Sequence, residues 1–402
     1  MSSRSPEEPS LPLSGIRVLD LSTVLAAPLT ASLLGELGAD VVKVEQPVVG
    51  DPTRSYPPLH QGEAVAWEQY GRGKRSVAVD LHLPEGGDAV RRMVAACDIV
   101  ITNFRPPTLR TFGLDFDQLA QIQPRVVMLH LTAFGRTGPY ADRPGFARVA
   151  EAFAGLTHRT GQPDGPPTFP GYPIADGAAG YYGAFAVLAA LRQRDLTDEA
   201  QLVDLALYEP MLRMMEDFLP AYAFDGRAAV RIGNDNPAVS PNGLFRTADD
   251  RWVALPVSTE GMWKRLVKVM DRADLEHLDT MEARVRRRDI VDAAVADFIA
   301  QHDLDEILDL LDNAGLAAGP VNSVADVVND VHITARGSVQ RVVTRRGEAS
   351  LIVAPAGRFS GFDYPARPPA PALGEHSDEV LSALGGYTRD EIDRLRAIGA
   401  VQ

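Results

Sequence analysis

One aspartate, Asp176, is placed by its neighbours where a side chain could do chemistry. Pro173 precedes it, and Gly177, Gly180 and Gly183 follow it in a run of small residues. Because proline fixes φ and disfavours a helical residue before it, the chain should arrive extended and begin a helix near Asp176. A carboxylate there could cap the helix or, being ionised at neutral pH, attack an activated carbonyl. The local sequence leaves both interpretations open.

Basic residues in loops form a second group that could act on a ligand. They occur within 71–75, 103–105 and 135–136, in a chain whose formal net charge is -14. Taken one at a time, each of these cations is more typical of a solvated surface charge. Taken together around an apolar crevice, they suit a phosphate-rich ligand with an adenine ring to stack.

Strands and helices alternate over the first half of the chain and would position these residues. The spacing predicts a doubly wound α/β layer with a parallel sheet. Ligands of such sheets bind beyond the carboxyl ends of the strands, where the 23–27 turn and 103–105 are expected. After about residue 207, longer helices and a strand at 251–256 predict a smaller α+β domain. The strands predicted for the sheet are 16–21, 39–45, 76–80, 98–102, 126–131 and 200–205.

The composition is that of a globular protein, with 402 residues of which 45% are hydrophobic and 23% are charged. Its acidic balance argues against nucleic acid or an anionic membrane surface as a partner. No run of about 18 apolar residues is present, so we expect no membrane-spanning helix. The one cysteine, Cys97, opens an apolar strand, where a buried structural thiol is expected. A chain without an intrachain disulfide fits a cytoplasmic location.

Several common catalytic and cofactor motifs are absent from the sequence. The eight histidines are scattered, without a His-x-x-x-His or Cys-x-x-Cys pair, so no metal site is expected. The turn after the first strand lacks Gly-x-Gly-x-x-Gly, which argues against a dinucleotide at that position. Neither a Gly-x-Ser-x-Gly elbow nor a Walker loop occurs.

Eight short segments stand in order along the chain: LSGIRVLDL (13–21), LGADVVKVE (37–45), GKRSV (73–77), NFRP (103–106), GRTGPY (135–140), GQPDGPP (161–167), PIAD (173–176) and LGEHSD (373–378). Together they resemble the family III CoA-transferases, the group of formyl-CoA transferase and the CaiB/BaiF proteins. One segment alone would be unspecific, whereas eight in this order are highly specific. The resemblance extends over nearly the whole chain.

The resemblance implies a fold and an assembly. The fold is a Rossmann-like large domain with a parallel sheet plus a smaller α+β domain, and ring-shaped subunits interlock as a homodimer. The parts expected on this basis are a disordered tail (1–12), the large domain (13–205), a linker helix (206–224), the small domain (225–330), and a linker with a C-terminal segment that returns to the large domain (331–402).

The resemblance also gives Asp176 a role as the catalytic residue. In the family, the aspartate attacks the donor acyl-CoA to form an acyl–aspartyl anhydride, and the released thiolate returns to form an aspartyl-CoA thioester. The acceptor carboxylate opens this thioester, and a second anhydride and a second thiolate attack deliver the new acyl-CoA. Helix capping by Asp176 would then be a supplement.

Coenzyme A and its thioesters are thus expected as substrates, with no permanently bound cofactor. Some of the expected contacts match family positions, and the loop cations Arg72 and Arg136 are added from the sequence. The residues expected to bind CoA are Thr23, Val24, Leu25, Ala26, Lys43, Arg72, Lys74, Arg75, Asn103, Phe104, Arg105 and Arg136.

The sequence also departs from parts of the family. Racemases of the family carry a histidine in a Gly-His-Asp segment where this chain has 145–147, Gly-Phe-Ala, so racemisation is disfavoured. Formyl-CoA transferase has a glutamine where this chain has Leu25 and a glycine-rich flap that is absent at 233–241. An oxalate/formate pair is therefore not expected, and Leu25 suggests a larger or less polar acyl group. The alternatives are an acyl-CoA racemase or epimerase, and a non-catalytic CoA-binding subunit that acts with a partner chain.

Overall fold

The structure is a computed structural model that describes residues 11–402. The predicted disordered tail, 1–12, therefore lies outside the described residues except for Leu11 and Pro12. These two lead into a turn in which the Leu11 carbonyl accepts a hydrogen bond from the Ser14 amide at 3.0 Å.

Strands and helices are assigned here over the described part of the chain. The strands are β1 Arg17–Asp20, β2 Asp40–Glu45, β3 Leu59–His60, β4 Glu63–Ala64, β5 Lys74–Ala78, β6 Ile99–Thr102, β7 Val127–Thr132, β8 Gln201–Ala206, β9 Asn242–Arg246, β10 Trp252–Pro256, β11 Gly319–Pro320, β12 Val339–Val343 and β13 Ala349–Val353. The helices are α1 Ala26–Glu36, α2 Val65–Tyr70, α3 Pro84–Val94, α4 Pro106–Phe112, α5 Phe116–Ile122, α6 Ala147–Phe153, α7 Leu156–Arg159, α8 Ile174–Thr197, α9 Glu209–Met214, α10 Phe218–Asp225, α11 Glu260–Val269, α12 Met281–Arg286, α13 Arg288–Ile299, α14 Leu304–Asn313, α15 Val324–Asn329, α16 Val331–Ala335, α17 Ser377–Ala383 and α18 Arg389–Ala397. Short 3₁₀ helices cover Pro52–Ser55 and Ala273–Leu275.

The first compact unit is built on a parallel sheet of six strands, in the order β5-β2-β1-β6-β7-β8. The predicted doubly wound α/β layer with a parallel sheet is thereby confirmed. The chain order reverses between β1 and β6, because β2 and β5 lie to one side of β1 and the later strands to the other. A crevice at the carboxyl ends of the strands is expected at such a reversal.

The sheet is apolar on both faces because helices cover both of them. On one face, side chains such as Val18 and Ile101 pack with α1 and α8. On the other, side chains such as Leu19 and Val100 pack with α3 and with the C-terminal helices α17 and α18. Alternate residues of one strand therefore belong to different cores, as the period of two requires.

Helix α8 is held close to α1 by glycines. A Cβ on Gly180 would lie 2.7 Å from Leu29 Cδ2, and one on Gly183 would lie 2.6 Å from Thr30 Oγ1. The Thr30 hydroxyl donates a hydrogen bond to the Gly180 carbonyl at 2.9 Å. By length and composition α8 could also cross a membrane, but part of it is buried inside the protein, where it packs against α1, β7 and β8. The apolar residues on its buried side, such as Val187 and Leu191, are thus accounted for by their place in the core.

The second compact unit comprises 157–169 and 225–334, and the first contains the remaining described residues. In the second, the antiparallel sheet β11-β10-β9 packs with α11, α13 and α14 around residues such as Trp263 and Leu266. The sequence assigned 157–169 to the large domain. The structure corrects this, because the Gly233 amide donates to the Gly161 carbonyl at 3.0 Å and Arg231 donates to the carbonyls of His158 and Gly165.

The predicted linker helix, 206–224, is a pair of shorter helices. Helix α9 ends at Met214 and α10 begins at Phe218. Pro220 lies in the first turn of α10, where its missing N–H costs nothing, whereas it would break the interior of one continuous helix. The residues at the end of the chain, 335–402, belong to the first unit.

Candidate active site

A cleft opens beyond the carboxyl ends of β1 and β6, where the order of the sheet reverses. It consists of two cavities of about 310 and 200 Å³ that share Thr23, Phe104 and Thr108 in their walls. Asp176 lies in the wall of the larger cavity, together with Leu25 and Asn103. The structure thus brings the Asp176 carboxylate and two sequence-predicted loops to one place.

Asp176 is in the first turn of α8 but does not cap it. The residue at the cap position is Pro173, whose side chain has no hydrogen-bond acceptor. The capping interpretation left open by the sequence therefore does not describe this residue. Its half-buried carboxylate borders the cavity, which leaves it accessible to a ligand in the cleft.

The surroundings of Asp176 make its ionisation harder. Burial, reinforced by the negative charge of Glu151, raises the pKa of Asp176 to about 6, and Arg148 acts in the opposite direction. Tyr172, just before α8, has a raised pKa because of burial and its hydrogen bond with Tyr70. A carboxylate with a pKa near neutrality is typical of functional sites.

The turn between β1 and α1 also lines the larger cavity and is held in a strained conformation. Val24 has φ 71°, in the left-handed region that a β-branched residue rarely adopts. The Asn103 side chain accepts from the Thr23 amide at 2.9 Å and donates to the Thr23 carbonyl at 2.8 Å. Lys43 donates to the Ser22 carbonyl. These contacts offset the strain and fix the N-terminus of α1 against the cleft.

Phe104, which borders both cavities, is anchored from behind by a buried histidine. His130 Nδ1 lies 2.9 Å from an Arg136 guanidinium nitrogen, and its Nε2 lies 2.7 Å from the Phe104 carbonyl. Because arginine can only donate, Nδ1 accepts and Nε2 carries the proton that is donated to Phe104. Burial lowers the pKa of His130, which favours this neutral form.

Comparison with known proteins assigns the chain. The family model described as CoA-transferase family III matches residues 13–377. The protein belongs to this family. It is therefore a CoA-transferase, which confirms the resemblance seen in the sequence.

Two curated relatives and one solved structure cover nearly the whole CoA-transferase chain. The beta subunit of succinyl-CoA–L-malate CoA-transferase from Chloroflexus aurantiacus is 38% identical, over 96% of this chain and 98% of its own. Succinate–glutarate CoA-transferase from Agrobacterium fabrum is 35% identical, over 93% of this chain and 96% of its own. A CAIB/BAIF family protein from Brucella suis has a TM-score of 0.83 at 33% identity, over 93% of this chain and 100% of its own.

The structure brings seven of the predicted CoA-binding residues to the cleft of this transferase. They lie in the 23–26 turn and in the loop after β6. All of them border the larger cavity, and they are Thr23, Val24, Leu25, Ala26, Asn103, Phe104 and Arg105.

The other five predicted residues are cations that the structure pairs with the protein's own groups. Lys43 borders the smaller cavity, but its side chain is only 1% exposed and pairs with Asp20 and Asp51. Acidic partners compensate the charges of these cations, as burial requires. Arg72, Lys74, Arg75 and Arg136 are not among the residues that line the two cavities. The remaining pairings are Lys74 with Asp20, Arg72 with Glu68, Arg75 with Asp40 and Glu379, and Arg136 with Asp115.

Several cleft residues of the transferase were missed by the sequence analysis. Val79, Leu81 and His82 follow β5 and line the smaller cavity with Phe112. The rings of His82 and Phe112 meet edge to face at 5.4 Å, and Phe112 meets Phe104 at 5.9 Å. The available signal was the same carboxyl-end rule that located the 103–105 loop, applied to the strand predicted at 76–80.

Arginine Arg143 is a further missed residue, in the wall of the larger cavity. Its guanidinium lies 3.8 Å from the centre of the Tyr140 ring. Arg105, in the loop after β6, lines the same cavity and is exposed. Within residues 11–402 neither arginine forms a salt bridge, in contrast to the buried cations behind the cleft.

Proposed function

We propose that the protein transfers CoA from a dicarboxylic acyl-CoA, such as succinyl-CoA, to a carboxylic acid, with Asp176 as the nucleophile. The observation that carries the proposal is the Asp176 carboxylate, which borders the same cavity as Leu25 and Ala26 at the N-terminus of α1. A carboxylate can form both an anhydride and a thioester. No step of such an exchange requires a strong base.

The first half of the reaction moves CoA onto the enzyme. An Asp176 oxygen attacks the thioester carbonyl of the donor, the C–S bond breaks, and CoA leaves as the thiolate. The thiolate then attacks the aspartyl carbonyl of the resulting anhydride. Cleavage of the C–O bond releases the donor acid as its carboxylate and leaves CoA on Asp176 as a thioester.

The second half repeats these bonds with the acceptor. The acceptor carboxylate attacks the aspartyl thioester, the thiolate leaves, and a second anhydride forms. The thiolate attacks the acyl carbon of the acceptor in this anhydride, which yields the new acyl-CoA and restores the Asp176 carboxylate. Electron pairs balance at each step, and no proton is transferred.

The N-terminus of α1, which lines the same cavity as Asp176, supports this chemistry. Its cap residue, Leu25, provides no side-chain oxygen, so the first amides of the helix keep their hydrogens free for a ligand. Amides of a helix N-terminus stabilise negative charge, here the oxyanion that forms when the carboxylate adds to the thioester. The strain at Val24 would be one cost of this arrangement.

The smaller cavity suits the adenine end of CoA. Its apolar wall includes Phe104, Phe112 and His82, whose rings provide edges and faces for a purine. The larger cavity then receives the pantetheine arm and the acyl group. Because the two cavities share Thr23 and Phe104, one extended molecule can occupy both.

Dicarboxylic substrates are supported by the arginines of the larger cavity. Two relatives are named for succinyl-CoA or succinate, with malate or glutarate as the second acid. A distal carboxylate in this cavity would need a cation, and Arg105 and Arg143 are available there because neither is committed to an acidic side chain. Racemisation has less support, since Phe146, which lines the cavity, cannot act as acid or base.

The transferase is further proposed to act as a homodimer, as the resemblance implies. Large apolar side chains on α8, among them Tyr181, Phe185 and Leu188, are exposed on the single chain. A second copy would cover such a surface. Because a relative is named as a subunit, a different partner chain is the alternative, and activity of the purified protein alone decides between them.

The decisive experiment detects the covalent intermediate. Purified protein is incubated with a panel of acyl-CoAs and analysed by peptide mass spectrometry, and the peptide containing Asp176 is expected to carry CoA. Asp176→Ala should lose the adduct and nearly all turnover. The matched control is Asp117→Asn, which alters an exposed aspartate in the first turn of another helix, α5. Near-normal turnover by Asp176→Ala would refute the proposal.

A further inference from the structure

Glu151 is a buried carboxylate next to the nucleophile that the reaction steps above do not use. It lies on α6 and is 0% exposed. One of its oxygens accepts a hydrogen bond from the Ala175 amide at 3.3 Å. The other accepts from an Arg148 guanidinium nitrogen at 2.9 Å. Ala175 directly precedes Asp176 in the chain.

Arg148 also contacts the segment that precedes Asp176. Its guanidinium donates a hydrogen bond to the Tyr172 carbonyl at 3.4 Å, in addition to its bond with Glu151. The pair on α6 therefore holds the chain on both sides of Pro173, at the carbonyl of Tyr172 and the amide of Ala175. These contacts stand in place of a side-chain cap, because the residue at the cap position of α8, Pro173, provides none.

Burying a charged side chain costs desolvation free energy, which makes it an unusual way to fix the start of a helix. Taking a carboxylate out of water costs several kcal/mol unless partners compensate it, and a neutral side chain could also fill the space. An amide at a helix N-terminus could equally be satisfied by an ordinary capping serine or threonine. The sequence instead places a carboxylate within the field of the carboxylate that reacts.

We propose that Glu151 is a positioning residue that, paired with Arg148, fixes the first turn of α8 and thereby the orientation from which the Asp176 carboxylate attacks the thioester. The proposal rests on the role given to Asp176 above. It extends that role because the hydrogen bond from Ala175 determines where the first turn begins. A small error in the position of a reacting group costs about 100-fold in rate.

The charge of Glu151 also acts on Asp176. After burial, it is the larger of the two charged influences that set the pKa of Asp176 to about 6, and it raises that pKa while Arg148 lowers it. Tyr172, on the preceding turn, is neutral because burial raises its pKa. Arg105 and Arg143, in loops, line the same cavity as Asp176. A more basic carboxylate is a better nucleophile, provided that it still ionises near neutral pH.

The test separates hydrogen bonding from charge by using two substitutions. Glu151→Gln keeps an acceptor for Ala175 and removes the charge. We expect a loss in kcat of several-fold and a displacement of the acid limb of the pH profile to lower pH by about one unit. Glu151→Ala removes the acceptor as well, and kcat should fall about 100-fold with little change in KM. Arg148→Met should displace the acid limb in the opposite direction.

A matched control is available at the C-terminal end of α9. Arg213 and Glu216 form a pair with the same spacing of three residues, but both side chains are exposed. Glu216→Gln should leave kcat, KM and the pH profile unchanged. Thermal melting of each variant reports whether it is folded, and the isosteric Glu151→Gln decides the outcome if Glu151→Ala does not fold.

The outcomes distinguish this inference from the proposed function. If wild-type protein carries CoA on the Asp176 peptide, but Glu151→Gln has the wild-type kcat and pH profile, the inference is wrong and the function stands. If the wild type carries no adduct on that peptide, the proposed function fails, and the role given to Glu151 fails with it. A low kcat with a displaced acid limb in Glu151→Gln supports both.

Discussion

Asp176 is half-buried in the first turn of α8, where it borders the cleft. Its carboxylate therefore ionises less readily than the carboxylate of an aspartate in water. Burial is the main cause of its pKa of about 6, ahead of the charge of Glu151. The same side chain on the surface would be ionised well below pH 5. Its reactivity is therefore a property of its place in the fold.

The first prediction concerns the pH dependence of activity. Because the proposed nucleophile can attack only when it is ionised, kcat/KM should rise with pH through about 6 and level off above it. Steady-state rates with a fixed acyl-CoA from pH 4.5 to 8 measure this limb. Asp117→Asn should show the same limb as the wild type, and a rate that stays constant down to pH 4.5 would contradict the assignment.

A second prediction at the residue scale concerns stability. The pKa of Asp176 is raised in the folded state, so folding is favoured most where the group is protonated and this contribution is lost as pH rises through about 6. Asp176→Asn removes the buried charge and should raise the melting temperature at pH 8 by a few degrees. At pH 5 the difference from the wild type should be small. An equal effect at both pH values would show that ionisation is not its cause.

At the scale of elements, the site depends on how closely α8 approaches α1. Gly180 and Gly183 provide the contact surface, and the Thr30 hydroxyl bridges the two helices through the Gly180 carbonyl. The first turn of α8 carries Asp176, and the first turn of α1 carries free amides. The distance between the helices therefore sets the geometry of attack.

Gly183→Ala tests this packing. Alanine favours a helix by about 1 kcal/mol over glycine, but its Cβ would meet Thr30 Oγ1 at 2.6 Å and Leu129 Cδ2 at 3.1 Å. Overpacking of this kind costs about 1–3 kcal/mol, so we expect a net loss of stability and a larger loss of kcat/KM. Both are measured by chemical denaturation and steady-state kinetics.

The control for Gly183→Ala lies on a helix that contributes no residue to the cleft or to the proposed dimer surface. Ala293 of α13 is exposed, so Ala293→Gly should cost about 1 kcal/mol of stability through helix propensity alone and leave the rate unchanged. If Gly183→Ala were instead more stable than the wild type and fully active, the helix contact would not control the site.

At the scale of the whole molecule, the chain exposes apolar side chains that a lone subunit would leave in water. Phe185 of α8 is 65% exposed and Phe224 at the end of α10 is 91% exposed. Both residues belong to the first compact unit, which also contains the cleft. The proposed homodimer would account for this surface.

The assembly prediction is a particle of twice the chain mass of 43.4 kDa, measured by light scattering. Phe185→Asp should weaken the dimer, because a charge would be buried at the contact. The control is Val324→Asp, an equally apolar-to-acidic change at an exposed helix N-terminus of the second unit. A wild-type monomer with full activity would overturn the prediction.

The sequence by itself determined the parallel sheet and the cleft edge, since strand periodicity, short loops and the rule of carboxyl ends are local properties. It also located Asp176 at the start of a helix and identified the family from motifs in order. Only the tertiary structure decided which polar groups face the ligand. Lys74 and Arg136 are read from the sequence as free cations, but folding brings Asp20 and Asp115 against them.

The two residues that contact the segment before Asp176 could not be identified from the sequence either. Glu151 and Arg148 are each 24 residues away in sequence from the residue that they contact before Asp176. No local sequence pattern marks them. Their role depends on which elements pack together and on how much water is excluded. Such long-range contacts determine the pKa and the orientation of Asp176, because electrostatic effects follow distance and burial in space and not separation along the chain.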